Sequence, residues 1–496
     1  MKELGLATRA GYRYMADDRR VITRLFYPGQ ELVGGGESRT STTIERVLAL
    51  SANEVEEALS DLFDRFANRH EDIASVFDEH AEKVREHVAS GVTLSKNRRL
   101  LLGAAFTQEY SIEGSAVCNP SLVAHFDQTG VEPGALRVIL SYRAIGEGHI
   151  SSICFRAGMI DANGTLAIDP PSRFPVVAAT RPDTLDRSLF LSKLSETDSD
   201  VETAAAVLDQ LGATFTEGEL ETAVSALIAE GDIRLNAVGT ALLLLSIARS
   251  FYVATFDESV ELSRRVLWPA SPFERHGMED ARFVRFEDDS GVRFMATYTA
   301  FDGTTVSQQL LETRDFRTFV SMPLTGEGAR NKGLAIFPRL IDGEFAALSR
   351  FDRQTNSVVM SNRSHHWDQP EVVQEPIQPW ELLQLGNCGS PIELPEGWLV
   401  LTHGVGAMRT YSIGALLLDL DEPRKVIARL SRPLLVPTED ERDGYVPNVV
   451  YSCGSLVHAG RLYMPYGMSD CAIGFAVVDV ADLLGALDPV SGARRR

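Results

Sequence analysis

The sequence predicts a mainly β protein of many short strands, with helices confined to an N-terminal region and one internal stretch. Two observations carry this. Apolar runs of four to eight residues, punctuated by Gly, Pro, Asn and Asp, recur from about residue 115 almost to the C-terminus, and no βαβ alternation accompanies them. The β-patterned residues number roughly 300, too many for one small sandwich and enough for about five or six four-stranded blades of a propeller.

Taken in order, residues 1 to about 40 carry little periodic signal, and Gly34-Gly-Gly36 reads as a turn or loop. From 41 to about 90 the pattern is helical. Ser51 with Glu54 three residues on has capping-box spacing, Val55, Leu59 and Leu62 share a face, and a second helix is expected over 71–88. After Leu100 the character turns to β, with strands expected over 121–124, 135–142 and 149–155 and an Asn163-Gly164 turn beyond them. A helical insertion follows over 189–251. Thr216 caps a helix that Gly231 stops, and an apolar helix covers 237–248. The β pattern then resumes through 294–298, 333–337, 345–348, 398–401, 411–418 and 460–466, and 481–487 reads as a closing helix. The domains expected are thus a mostly helical extension over 1–110, a β domain over 111–488, and the insertion at 189–251.

Of 496 residues, 44% are hydrophobic and 24% charged, the balance of a globular chain. A net charge of −21 argues against nucleic acid and anionic membranes as partners, while leaving room for a local basic pocket. Five cysteines without a CxxC pair do not form a disulfide framework, and no secretory signal opens the sequence, so a cytoplasmic location is expected. The longest apolar run, 241–248, is too short to span a bilayer.

The chemistry centres on Phe273-Glu-Arg-His-Gly-Met-Glu-Asp-Ala-Arg-Phe-Val-Arg-Phe286, where Glu279 and Asp280 follow a glycine at the mouth of a strand. Successive side chains of a strand point to opposite faces, so one carboxylate can face a cavity while the other supports it. The plainer alternative is a surface turn in which both pair with Arg275 and Arg282. Other polar residues punctuate strand ends: Asn119, Arg143, Arg314-Asp315, Asn331-Lys332, His403 and Asp470. Arg, Lys and His near a carboxylic acid suit an oxyanion, which Arg binds through paired hydrogen bonds and Lys as a point charge. Each has a structural alternative: an ion pair for Arg143, a solvated turn for Lys332, a core histidine for His403, and a turn former for Asn119 before proline.

Asn119-Pro-Ser, Ser141-Tyr-Arg-Ala144, Gly277-Met-Glu-Asp-Ala-Arg282, Thr313-Arg-Asp315, Asn331-Lys-Gly-Leu-Ala-Ile-Phe-Pro338, Thr402-His-Gly-Val405, the 414–429 stretch, Tyr445-Val-Pro-Asn448 and Tyr466-Gly-Met-Ser-Asp470 together resemble glycoside hydrolase family 130 over most of 115–488. The resemblance implies a five-bladed β-propeller that cleaves β-mannosides by inverting phosphorolysis to α-mannose 1-phosphate, with no metal or organic cofactor and inorganic phosphate as co-substrate. It implies Asp280 as general acid, acting through a mannose hydroxyl, and phosphate in place of the base-activated water of an inverting hydrolase. Arg143, Lys332, His403 and Arg314 would bind phosphate. Asn119, Glu279, Arg282, Asn331 and Asp470 would surround the manno-oligosaccharide. Two departures from the family pattern stand out: Ala281 where proline is common, and Thr402 where a tyrosine often precedes the His-Gly pair.

Two other functions fit the sequence. A β-1,2-mannosidase of the same fold would use Glu147 or Glu279 to activate water, and a non-catalytic propeller would only bind carbohydrate. The N-terminal and inserted helices lie outside the family pattern, and a role in homo-oligomer contacts is their functional reading.

Overall fold

The computed structural model describes residues 3–28, 32–33, 37–197, 199–229 and 237–490; the Gly34–Gly36 turn and the Gly231 helix stop lie outside the described residues. The protein is mainly β with several helices. The chain divides into two compact units. One holds residues 17–114 and 172–176, and the other holds 1–16, 115–171 and 177–496.

The smaller unit packs helices Arg39–Ala49, Ala52–Phe66, Ile73–Lys83 and Lys96–Ala105 around a core of Ile44, Val55, Leu59, Phe77, Leu102 and Phe106. The Ser51–Glu54 capping box closes as the spacing predicts, with the Ser51 hydroxyl accepting from the Glu54 N–H and the Glu54 carboxylate accepting from the Ser51 N–H. We expect Ser51→Ala to cost about 1 kcal/mol of this unit's stability, read in its thermal melt. The helix at Lys96–Ala105 falls where the sequence suggested a turn to β. Ser95 caps it, and Gly103 lies too close to the Phe77 carbonyl for any larger residue. Strands Val21–Leu25 and Thr107–Ser111 pair in the same unit.

The larger unit is a series of antiparallel meanders. Among the described residues five hairpins open them: Ala116–Ala124 with Leu136–Ile145, Gly277–Asp288 with Gly291–Phe301, Ala335–Ile336 with Phe345–Ser349, Ile392–Leu394 with Gly397–Val405, and Leu456–His458 with Arg461–Met468. Each second strand pairs with a third: Ser151–Ile160, Val306–Thr313, Asn356–Ser361, Tyr411–Leu418 and Ala472–Asp479. Apolar cores lie between successive meanders, such as Phe286, Leu310, Ile336 and Trp367 in one and Phe337, Val358, Trp398 and Leu416 in the next.

The expected 1–110 helical extension needs correction at its start. Thr8–Arg9 and Tyr14–Met15 are strands that pair with Ala472–Asp479, so the first 16 residues belong to the β unit. Two-residue strands are too short for alternation to register in the sequence. The inserted helices Arg187–Leu194, Val201–Leu208, Glu217–Ala229 and Ala237–Ala248 share a core of Phe190, Val207, Leu220, Leu244 and Ile247. Thr216 caps the third of them through Glu219. None of the helices of the described residues is long and apolar enough to cross a membrane.

Candidate active site

A cavity of about 420 Å³ opens where the meanders' strand ends converge, and Asn119, Arg143, Asp280, Asn331, Lys332, His403 and Asp470 all line it. Residues up to 351 positions apart in the chain, Asn119 and Asp470, thereby share one site. Their backbone is unusual. Asn119 (φ 49°), Asp280 (φ 59°), Asn331 (φ 65°), Arg409 (φ 52°) and Asp470 (φ 51°) are all left-handed and all line the cavity. Strain of this kind persists where surrounding structure holds it and concentrates at functional sites; Asn and Asp bear it best among non-glycine residues.

The strand bearing the carboxylates carries a bulge between Glu279 and Arg282, and the strand bearing Asn119 carries one between Cys118 and Ser121. An extra residue in a strand re-aims its neighbours. Asp280 is thereby turned into the cavity, where Asn119 Nδ2 donates to its Oδ1 and Arg143 stands 3.9 Å away. Glu279, buried behind it, takes Arg143 at 2.7 Å on one oxygen and Lys332 on the other. The surface-turn alternative for this pair is excluded by burial. Gly277 enters the strand at φ 134°, with the position of a Cβ only 2.7 Å from the Ser151 backbone nitrogen. Gly277→Ala is therefore expected to destabilise the fold by about 2 kcal/mol or more and to displace Asp280, read as a lower melting temperature together with lost turnover.

Arg282 is fully buried, donating to the Asp280 carbonyl (2.9 Å) and to the Tyr451 hydroxyl (2.6 Å), so it holds the bulge rather than lining the cavity. Asn331 lines the cavity with its amide already engaged, donating to the Phe351 carbonyl and accepting from Arg353 at 2.7 Å. Arg314 is the exception among the expected anion ligands. It is exposed and donates to the Val292 carbonyl at 3.1 Å, near the Gly291 turn at the far end of the Gly277–Asp288 hairpin. It is not among the residues lining the cavity. Strand direction is the reason, because the Thr313-Arg-Asp315 turn follows the strand end opposite to the one that opens on the site.

Arg350, Arg353, Arg409, Tyr411 and Tyr451 also line the wall and were not singled out in the sequence. A signal existed for two of them. Arg350 follows the end of Phe345–Ser349 directly and Arg353 lies three residues on, close to the strand-end placement that singled out Arg143. Thr402 does not face the site: its hydroxyl is buried with no hydrogen-bond partner among the described residues, and strand alternation puts it on the opposite face from His403. The tyrosine beside His403 is instead Tyr411, stacked on its ring at 5.9 Å between centroids.

The two cavity carboxyls are driven apart electrostatically. Burial opposes ionisation of Asp280, but Lys332, Arg143, Arg282 and the Asn119 hydrogen bond overcome it and hold the carboxyl below its ordinary value. Burial pushes Asp470 up to about 6, only partly offset by Arg143, while Asp280 adds to the rise. Between about pH 4 and pH 6 the folded chain therefore retains a proton at Asp470 that the unfolded chain has lost, so this group's contribution to stability falls as pH rises through that window. Asp470→Asn is expected to remove up to about 1.4 kcal/mol of pH dependence per unit there, measured by denaturant melts at stepped pH. His403 is pushed well below its usual value by burial, then by Arg350 and Arg282. Of the two alternative bases for a hydrolase, Glu147 is exposed on the 147–149 turn and Glu279 is engaged by two cations.

The site thus joins a buried carboxyl to a group of cations on a β scaffold. The family model described as beta-1,4-mannooligosaccharide phosphorylase, glycoside hydrolase family 130, matches residues 256–488. A 1,2-beta-oligomannan phosphorylase of Thermoanaerobacter sp. (strain X514) is 31% identical over 244 residues, covering 48% of this chain and 80% of that protein. A Beta-1,4-mannooligosaccharide phosphorylase of Ruminococcus albus is 32% identical over 217 residues, 41% of this chain and 63% of that protein. The solved Beta-1,2-Mannobiose phosphorylase of Listeria innocua aligns over 76% of this chain and 93% of its own at 21% identity, with a TM-score of 0.44. The chain belongs to glycoside hydrolase family 130.

Proposed function

We propose that this chain catalyses the inverting phosphorolysis of β-mannosides, releasing α-mannose 1-phosphate, on a five-bladed β-propeller formed by 111–488. The observation that carries the reading is the single cavity in which Asp280 meets Arg143, Lys332, Arg350, Arg353 and Arg409, an excess of cations over the two lining carboxyls. In a chain of net charge −21 such an excess is a local device for an anion. The relatives' names as β-mannoside phosphorylases agree with it. The propeller is supported by the five successive hairpins and by the parallel bridges Glu287–Arg339 and Ser121–Gly454, the second of which joins the first hairpin to the residues just ahead of the last.

Asp280 is the general acid, passing its proton to the glycosidic oxygen through a mannose hydroxyl. Arg143, Lys332 and His403 hold phosphate, with Arg350 and Tyr411 beside them. Asn119 and Asp470 orient the mannose. Glu279 fixes Arg143 and Lys332, Asn331 fixes Arg353, and Arg282 fixes the Asp280 bulge. Phosphate attacks the anomeric carbon from the face opposite the leaving group, so no second carboxylate is required as base. The electrostatics give the order of events a physical basis. Lys332 and Arg143 favour the ionised form of Asp280, and an entering phosphate dianion would offset that field and raise the acid's proton affinity. The proton donor is thus armed when the nucleophile is in place.

A second reading takes Asp470 as the acid: it lines the same cavity, and burial pushes it up to about 6, so that it holds a proton in mild acid. Comparing Asp280→Asn with Asp470→Asn decides between them. The function itself is tested by incubating the protein with β-1,2-mannobiose and with β-1,4-mannosyl-glucose, with and without phosphate. Sugar release that requires phosphate supports the proposal; free mannose formed equally without phosphate overturns it in favour of a hydrolase.

A further inference from the structure

His403 differs from its neighbours in the proposed phosphate cradle. Its Nδ1 lies 3.1 Å from the Asn387 backbone carbonyl, and a carbonyl can only accept, so Nδ1 carries the ring hydrogen. The Cys388 sulfur approaches the same nitrogen at 4.0 Å. The side chain is 1% exposed, with Tyr411 stacked against one side and the Tyr451 ring edge-on at 4.8 Å. The charged groups acting on it are Arg350 and Arg282, both cations, and among the described residues no carboxylate bonds to the ring. Burial and two cations disfavour a second proton, so Nε2 presents a lone pair. Among the described residues none hydrogen-bonds to Nε2, the ring's contacts being made by Nδ1, and His403 lines the cavity.

Arg143, Lys332 and Arg350 can only donate hydrogen bonds. They attract any tetrahedral dianion alike and cannot read whether it still bears hydrogen. From the lone pair at Nε2 we infer that His403 accepts a hydrogen bond from a P–OH group, so that the site selects protonated oxyanions, phosphate and arsenate, against sulfate, which carries no proton near neutral pH. This inference deepens the phosphorylase reading and rests on it. With sulfate bound, the Nε2 lone pair would face an oxygen lone pair with water excluded, leaving a buried acceptor unsatisfied. Sulfate is therefore expected to bind about tenfold to hundredfold more weakly than phosphate, despite equal size and charge.

The test is calorimetric titration of the native protein with phosphate, arsenate and sulfate at neutral pH and constant ionic strength, repeated with His403→Gln, whose amide can turn its N–H toward the anion. Expected are arsenate close to phosphate, sulfate at least about tenfold weaker, and a gap narrowed to about threefold or less in the variant. Sulfate binding as tightly as phosphate to the native protein overturns the inference, as does a folded variant with undiminished selectivity. If the variant fails to fold, the native comparison decides alone. Absence of phosphate binding, with mannose released regardless, would bring down the phosphorylase reading and this inference together, whereas equal sulfate binding removes only the inference.

Discussion

Asp280→Asn is expected to lower turnover of an unactivated β-mannoside by about 10²–10⁴-fold, the usual contribution of a positioned acid. The fold should survive, because Asn fills the same volume at φ 59° and tolerates the left-handed backbone there. The informative comparison is an aryl β-mannoside with a good leaving group, whose departure needs little protonation. On that substrate the variant should recover most of the loss, while Asp470→Asn, a defect in holding the mannose, should be equally impaired on both. If Asp470→Asn is the variant that recovers and Asp280→Asn is not, the proton donor has been misassigned. The measurement is kcat/KM for each variant on each substrate at several pH values.

Glu279→Ala should have the second largest effect, and on two quantities at once. Glu279 neutralises Arg143 at 2.7 Å in a part of the site where Arg143 is 18% exposed and Glu279 8%. Removing one partner of a buried pair strands the other charge, at a cost of about 3 kcal/mol. Lys332, with 40% of its side chain exposed, adds little to that cost. The same change frees both cations from the positions in which they would grip phosphate, so the KM for phosphate should rise by about tenfold or more while mannoside binding changes less. Glu279→Gln, which keeps an acceptor for Arg143, should lie between the variant and the native protein. An unchanged phosphate KM in a destabilised Glu279→Ala would mean that the carboxylate serves the fold and not the cradle.

Much of this site was legible in the sequence because the chemistry sits at strand ends. Arg143, Lys332 and His403 each adjoin an apolar run, and the Glu279-Asp280 pair follows a glycine that the close approach of Ser151 requires. What was not legible depends on geometry that a strand pattern does not encode. Simple alternation separates Glu279 from Asp280 but does not contain the bulge that re-aims them, and two residues of opposite face end up serving the same arginine. Arg314 was grouped with the anion ligands by the family resemblance, yet one strand length separates it from the site. Arg350 and Arg353 had a local signature close to that of Arg143 but lay in a loop with no distinguishing motif. The Thr402 departure proved immaterial to the cavity wall because Tyr411, on the next strand, stands beside His403.

The N-terminal strands show a similar limit. Pairings of two residues leave no periodic trace, so Thr8–Arg9 and Tyr14–Met15 become visible only beside the Ala472–Asp479 strand they extend. Longer local signals transferred directly. The Ser51–Glu54 capping box and the apolar Ala237–Ala248 helix stand where composition and spacing put them.

The most direct test of the central claim is to follow the reaction of β-1,2-mannobiose and of β-1,4-mannosyl-glucose with phosphate by proton and phosphorus magnetic resonance from the first turnovers. The account predicts α-mannose 1-phosphate appearing as the first mannosyl product from at least one of them, in step with phosphate consumed and absent in Asp280→Asn. Free mannose as the first product at an unchanged phosphate concentration, or a β-configured sugar phosphate, would contradict it.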